Sequence, residues 1–168
     1  STASDPARPM VQDRVGGFEL LEHTADIGIR AHGASLEEAF EHATEGLAEV
    51  QGALAPGPEE AGPGERVAGP EEPARESREA VAVQVSAAEP GGLLVDWLNE
   101  VLWLTETRRA GVAGVRVERV GDGTASGSVV LTAGPAPEGI FVKAVTYHRL
   151  RVGPDPGGGW LVEVYLDV

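Results

Sequence analysis

The last third of the chain contains four strand-like segments joined in two hairpins, and this pattern limits the fold more than any other feature. The first pair of segments flanks Gly121-Asp122-Gly123, and the second flanks the sequence PDPGGG at residues 154–159. Short connections rich in glycine between strand-like runs are typical of antiparallel hairpins. We therefore expect antiparallel strands to dominate the fold.

A first helix is predicted within residues 34–54. Apolar residues recur there at helical spacing, and Ser35 followed by Glu38 forms a capping box. The side opposite the apolar face is acidic, and we expect it to be solvated. Its residues are Glu37, Glu41, Glu45 and Glu49.

A second helix is predicted within residues 91–111, where the apolar face is broad. Arg108 and Arg109 fall in its last turn, where cations suit the helix dipole, and Gly111 can close the end. Trp103 falls away from the most apolar face. It suits either a partner surface or packing against the edge of a sheet.

The remaining strands are two short ones around residues 23–26 and one at residues 80–87. The predicted order is β-β-α-β-α-β-β-β-β. It indicates an α+β, two-layer domain in which two helices pack on one face of a mostly antiparallel sheet.

The domain organisation follows from length and local composition. A chain of 168 residues fits one domain, which we place at residues 17–168 after a flexible tail at residues 1–16. Residues 55–77 are rich in Pro, Gly and Glu, a composition typical of disorder. We therefore expect a disordered loop inside a single domain.

Charge and cysteine content exclude several classes of function. The net charge of −14 opposes direct contact with a phosphate backbone, so RNA would be reached through a basic partner, although acidity equally serves solubility. The absence of cysteine excludes disulfides, thiolate metal sites and cysteine nucleophiles. No apolar run is long enough to cross a membrane and the start of the chain is not a secretory signal, so we expect a cytoplasmic protein.

Local motifs for chemistry are weak, and no nucleophile with its base is recognisable. What remains is a hard-cation site made by Asp26, Asp167 and the C-terminal carboxylate of Val168, if the two ends of the chain meet. Such oxygens suit Ca²⁺, Mg²⁺ or Mn²⁺, and a nitrogen from His23 or His148 would favour Mn, Fe or Zn. The alternative is that Asp26 only holds a turn through backbone hydrogen bonds.

The alternation of a regular strand places Asp167 with Leu161, Glu163 and Tyr165, opposite an apolar layer. Asp167 therefore points toward solvent or toward a site. By the same rule Lys143 and His148 lie on opposite faces, so they converge only if a bulge or bend intervenes.

Several motifs in order along the chain resemble the archease family. They are HTADIGIRAHG, GLLVDWLNEVLWL, VKAVTYHRLRV and the closing VYLDV, and the resemblance covers most of residues 17–168. The departures are the tail and the Pro/Glu-rich loop.

The resemblance implies a cytoplasmic accessory protein rather than an enzyme. Archeases assist the RtcB-type RNA ligase of tRNA splicing and RNA repair, which uses GTP and manganese. They promote its guanylylation and multiple turnover, and they meet RNA only through the ligase. An older assignment makes them chaperones for tRNA-modifying enzymes.

The resemblance also assigns residues. By motif match, Asp26, Asp167 and Val168 hold a divalent metal ion, and Lys143 is the candidate for ligase activation. The histidines His23 and His148 are second-tier candidates, with structural hydrogen bonding as their alternative role.

Two other classes of function remain open. One is a metal-dependent hydrolase acting alone, which the missing nucleophile and general base disfavour. The other is an interaction module or chaperone in which Asp26 and Asp167 only brace the chain ends.

Overall fold

The computed structural model of the protein describes residues 8–9, 17–23, 26–54, 77–133 and 137–168. At residues 8–9 and 22–23 only the backbone is described. The tail predicted at residues 1–16 lies outside the described residues except at residues 8–9, and the loop predicted at 55–77 lies outside them except at Ser77. Both therefore stay predictions.

The described residues form two helices and eight strands. The helices are α1 (Leu36–Gln51) and α2 (Pro90–Arg108). The strands are β1 (Arg8–Pro9), β2 (Phe18–His23), β3 (Asp26–Gly33), β4 (Arg78–Ser86), β5 (Gly111–Gly121), β6 (Thr124–Thr132), β7 (Ala144–Pro154) and β8 (Trp160–Asp167). Apart from the two-residue β1, the order is the predicted one.

The strands pair in two antiparallel sheets. The larger has the order β1-β2-β3-β8-β7, and the smaller has the order β4-β6-β5. The predicted α+β class, with two helices and antiparallel strands, is confirmed. The two predicted hairpins fall in different sheets, because β6 pairs on its other side with β4 while β8 pairs with β3.

Each helix packs against both sheets and so joins them around one apolar core. Helix α1 contacts β3 and β5, and α2 contacts β7 and β4. The helices also meet each other, and the Trp97 indole nitrogen donates to the Thr44 hydroxyl at 2.9 Å. This bond satisfies a buried donor in the core, where an unpaired one would cost stability.

Helix α1 begins and ends at the residues that its sequence indicates. The Ser35 hydroxyl accepts from the Glu38 amide, and the Glu38 carboxylate accepts from the Ala34 amide, so a variant of the capping box forms in which the glutamate bonds one residue before the cap. The helix ends at Gly52, whose φ of 70° is left-handed. In α2 the left-handed position is taken by Arg109 rather than by Gly111.

The prediction that the acidic side of α1 is a solvated face is wrong for two of its residues. The Glu37 carboxylate accepts from the Val120 amide and the Glu41 carboxylate from the Val117 amide, both at 2.9 Å. Strand β5 lies at the edge of the smaller sheet, so its outward amides need partners other than a strand. The glutamates supply them.

None of the helices in the described part of the chain is long and apolar enough to cross a membrane.

Candidate functional site

The HTAD hairpin and the end of the chain meet at one end of the larger sheet. Asp26 lies directly opposite His23 on β2 and directly opposite Asp167 on β8. Asp167 in turn lies opposite Ala144 on β7. Residues opposite each other in antiparallel strands have Cβ atoms about 4.5–5.5 Å apart, so Asp26 and Asp167 are close neighbours.

The two aspartates lie on the face of the sheet that points away from the helices. Their strand neighbours Ile27 and Leu166 pair with each other and are buried in the core. Asp167 is exposed and Asp26 is half-buried. The predicted orientation of Asp167, away from an apolar layer, is therefore confirmed.

Gly28 of the HTADIG motif is explained by the residue opposite it. Gly28 pairs with Tyr165, and a Cβ built at Gly28 would lie 2.7 Å from the tyrosine ring. The ring occupies the space above the glycine, beside the two aspartates. The HTADIG and VYLDV motifs are thus complementary in shape.

Lys143 lies at the entrance to β7, next to the two aspartates. Its amide donates to the Asp167 carbonyl at 2.7 Å, and its side chain is exposed. It is also the single lysine of the sequence. The structure therefore brings the backbone of this predicted residue into contact with Asp167, which lies opposite Asp26.

Asn99 fixes α2 to the strand that follows Lys143. Its side chain donates to the Val145 carbonyl at 3.0 Å and accepts from the Val145 amide at 2.9 Å. The sequence pattern alone gave Asn99 no role. Because the Asn99 side chain bonds both the carbonyl and the amide of Val145, it holds the backbone two residues after Lys143 in place.

His148 reaches the outer face of the sheet through a bulge in β7. Four residues, 147–150, fall between the pairs Thr146–Tyr165 and Arg151–Glu163, which are only two residues apart on β8. Arg149 in this bulge has a left-handed φ of 57°.

The bulge brings two side chains onto the Tyr165 ring. The His148 ring meets it edge-on, with centroids 6.2 Å apart, and the Arg149 guanidinium lies 5.4 Å from its centroid. The bulge that was the condition for Lys143 and His148 to converge is therefore present, and the ring contact of His148 is with Tyr165. The role of His148 at the site stays a prediction.

A second cluster of charges, which the sequence did not reveal, lies further along the same face. The Arg30 guanidinium donates to buried Glu163 at 3.1 Å and lies 3.7 Å from buried Glu19. The Tyr165 hydroxyl donates to the other Glu163 oxygen at 2.9 Å. Burial and this glutamate raise the pKa of Tyr165 to about 12. A signal was present, since Arg30 in β3 and Glu163 in β8 each lie between apolar residues of their strand.

Within the described side chains, no three His, Cys, Asp or Glu residues are grouped closely enough to hold a metal ion. The side chain of His23 lies outside the description. Asp26 and Asp167 provide two carboxylates, and Val168 follows Asp167 directly. This oxygen-only set fits a hard cation that keeps several waters, as Mg²⁺ or Ca²⁺ does.

Comparisons with known proteins agree with these motifs. The archease protein family profile matches residues 18–168. The archease of Thermococcus gammatolerans is 33% identical over 158 residues, covering 90% of this chain and 98% of that protein. The archease of Methanosarcina mazei is 32% identical over the same length, covering 95% of that protein.

Two solved structures share the fold. The solution structure of Methanobacterium thermoautotrophicum protein 1598 has a TM-score of 0.58 and 24% identity, covering 92% of this chain and all of that one. An archease from Thermotoga maritima, described as a possible chaperone, has a TM-score of 0.55 and 21% identity over 88% of this chain and 94% of that one. Because the family profile spans residues 18–168 and a relative is 33% identical over 90% of this chain, the chain belongs to the archease family.

Proposed function

We propose that this chain is a protein cofactor of an RtcB-type RNA ligase. It promotes the GTP-dependent guanylylation of the ligase and its multiple turnover, and it is not itself the ligase. The observation that carries the proposal is the register that sets Asp26 opposite Asp167, with the Lys143 amide bonded to the latter. The resemblance to archeases suggests the reaction, and the strand register and the Lys143 backbone bond support the choice of residues.

Three groups act in this proposal. Asp26 and Asp167 hold a divalent cation, which supplies positive charge for phosphate oxygens when bound. Val168 contributes its carboxylate where the protein ends at this residue. Lys143 pairs with a phosphate of the GTP bound to the ligase, as a point charge. Its backbone bond to Asp167 keeps the two functions at a fixed spacing.

The charge of the chain suits a basic protein partner. At a net charge of −14, this domain is attracted to a cationic surface and repelled by RNA. We therefore propose that RNA binds to the ligase alone. The two proteins meet in the cytoplasm.

The test is single-turnover guanylylation of the cognate ligase with GTP and Mn²⁺, with and without this protein. Native chain should accelerate the step, and Asp26→Asn, Asp167→Asn and Lys143→Met should each remove most of the acceleration. Lys143→Arg is the matched control, because it keeps the charge. Acceleration that survives both aspartate variants would refute the metal role. Phosphoester hydrolysis by the native chain alone would instead favour the hydrolase.

A chaperone role is the second candidate, and it is favoured by the similarity to the Thermotoga maritima archease, a possible chaperone. A chaperone for a tRNA-modifying enzyme would raise the yield of folded client without GTP. The aspartate variants would leave that yield unchanged if these residues only brace the sheet. Suppression of client aggregation is therefore measured beside guanylylation.

A further inference from the structure

Apolar side chains stand exposed around a cavity close to the candidate site. The cavity has a volume of about 390 Å³ and lies between the C-terminal half of α2 and the segment that leads into Lys143. Phe141 and Ile140, on its wall, are 66% and 44% exposed. Large apolar groups exposed together mark interaction sites more often than isolated ones do.

Trp103 extends this surface along α2. It lies one turn from Asn99, which bonds to Val145, and one turn from Glu106, which lines the cavity with Phe141. Trp103 is therefore beside the segment between these two contacts, and it is 58% exposed. Both predicted roles of Trp103 stay predictions.

The exposed segment is held by its backbone, so its side chains cannot collapse inward freely. The Gly139 amide donates to the Gln51 carbonyl at 2.8 Å, and the Ile140 amide donates to the Val50 carbonyl at 2.9 Å. A Cβ at Gly139 would overlap the backbone of α1, which shows how closely the segment is seated.

A buried acceptor without a partner lines the same cavity. Gln51 is 7% exposed, and its side-chain nitrogen donates to the Thr105 hydroxyl at 3.0 Å. In the described part of the protein, the Gln51 side-chain oxygen has no hydrogen-bond donor. A buried acceptor of this kind is costly unless a donor arrives with a ligand.

The charges at the rim indicate what kind of donor fits. Glu100, Glu106 and Glu138 are exposed beside the apolar surface. In the described part of the chain Arg109 is the one cation on the cavity wall, and Lys143 follows the exposed segment. An arginine side chain combines an apolar stem with five donors, and arginine is enriched at the centres of interfaces. A volume of about 390 Å³ is near the low end of the roughly 300–1,000 Å³ typical of ligand pockets, enough for one long side chain.

We propose that Trp103, Ile140 and Phe141 form a docking surface for the basic partner protein, which inserts an arginine between them toward Gln51. This inference rests on the proposed function, since it names the surface by which the ligase is bound. The surface is continuous with the candidate site, because residues 140–142 lead directly into Lys143. Docking there would set the partner beside Asp26 and Asp167.

The test measures the affinity of the purified ligase for the full chain, with guanylylation measured on the same samples. Phe141→Ser and Trp103→Ser should each weaken binding by about tenfold or more, as central aromatic residues of an interface do. Tyr147→Ser is the matched control. Tyr147 is 61% exposed, so its accessibility matches that of Phe141 and Trp103. Its hydroxyl lies 4.0 Å from a Cβ built at Gly92, near the start of α2. Gly92 is about 20 Å along the helix from Glu106, so Tyr147 lies away from the cavity.

The arginine is tested at Gln51. Gln51→Leu should weaken binding because it removes the acceptor, whereas Gln51→Glu should retain binding because it keeps one. Melting temperatures of the free variants establish that they are folded. If neither surface aromatic matters, the inference is overturned whatever the Gln51 variants do.

The outcomes separate the two proposals. Binding and acceleration that persist in Phe141→Ser and Trp103→Ser would overturn the docking surface alone. A native chain that neither binds nor activates the ligase would overturn both proposals. Self-association of the native chain that Phe141→Ser abolishes would assign the surface to a second copy, and would also overturn the inference.

Discussion

Two pairs of carboxylates lie on the same face of the larger sheet, and their surroundings differ. Glu19 and Glu163 are buried and share the Arg30 guanidinium, and the Arg151 guanidinium lies 3.7 Å from Glu163. Asp26 and Asp167 face each other at the sheet end, and in the described residues neither has a counter-ion within 4.0 Å. Like charges directly opposite each other destabilise a sheet. The comparison teaches that one pair stabilises the fold, while the other points to a role for a cation from outside.

The largest effect on stability is expected from breaking the neutralised pair. Glu163→Ala leaves Arg30 without its closest carboxylate and the buried Tyr165 hydroxyl without its acceptor. We expect the free energy of unfolding to fall by about 3 kcal/mol, the scale for removing one partner of a buried ion pair. Urea unfolding measures it. A loss below about 1 kcal/mol would mean that the pair is not structural.

The packing of the Tyr165 ring on Gly28, between the two carboxylate pairs, is tested by a substitution at Gly28. Gly28→Ala places a Cβ against the Tyr165 ring, and we expect a loss of about 1–3 kcal/mol from overpacking. The double variant Gly28→Ala with Tyr165→Leu should lose less than the sum of the two single losses, because the clash is removed. Additive losses would show that the ring does not cause the cost.

A smaller effect is expected from Tyr165→Phe, about 1 kcal/mol for one hydrogen bond. The native structure raises the pKa of Tyr165 to about 12 from an ordinary value near 10. The contribution of the Tyr165 hydroxyl to the stability of the fold is therefore complete below pH 10 and is lost as the pH rises through about 12. Melting temperatures measured between pH 9 and pH 12 should fall less steeply in the variant. Identical slopes would contradict this assignment.

The smallest effect on stability is expected from the unneutralised pair. Without divalent ions, Asp167→Asn should be unchanged or more stable by about 0.2–1 kcal/mol, because it removes a like-charge contact. Added Ca²⁺ or Mn²⁺ should raise the melting temperature of the native chain but not of this variant. A clear destabilisation by Asp167→Asn without metal would favour the bracing role instead.

The order of helices and strands could be predicted from local patterns, because helix caps and hairpin connections depend on residues that are close together in the sequence. Ser35 and Glu38 formed their box, and Gly121-Asp122-Gly123 joined two strands as expected. The division into two sheets could not be predicted this way. It depends on the pairing of β8 with β3 and of β6 with β4, which are not neighbours in sequence, and alternation does not encode that choice.

The candidate site was predictable to a similar degree. Alternation placed Asp167 on the correct face, and the family resemblance joined it to Asp26. The bulge that turns His148 onto Tyr165 depends on a left-handed arginine, a conformation that no local signal announces. Gln51 was likewise missed, because its isolation arises from packing between α1 and α2 rather than from its neighbours in sequence.

Because the sequence has a single lysine, Lys143, whose backbone bonds to Asp167, reagents that react with lysine side chains act at one position of this chain. A lysine-specific protease has one cleavage site in the chain, and an acylating dye has one side chain to modify besides the chain's own amino terminus. The rate at which either reagent reacts with Lys143 therefore reports on whether the end of the larger sheet is covered by a partner. Slower cleavage or labelling of Lys143 would record the arrival of a partner in a mixture, without any engineered tag.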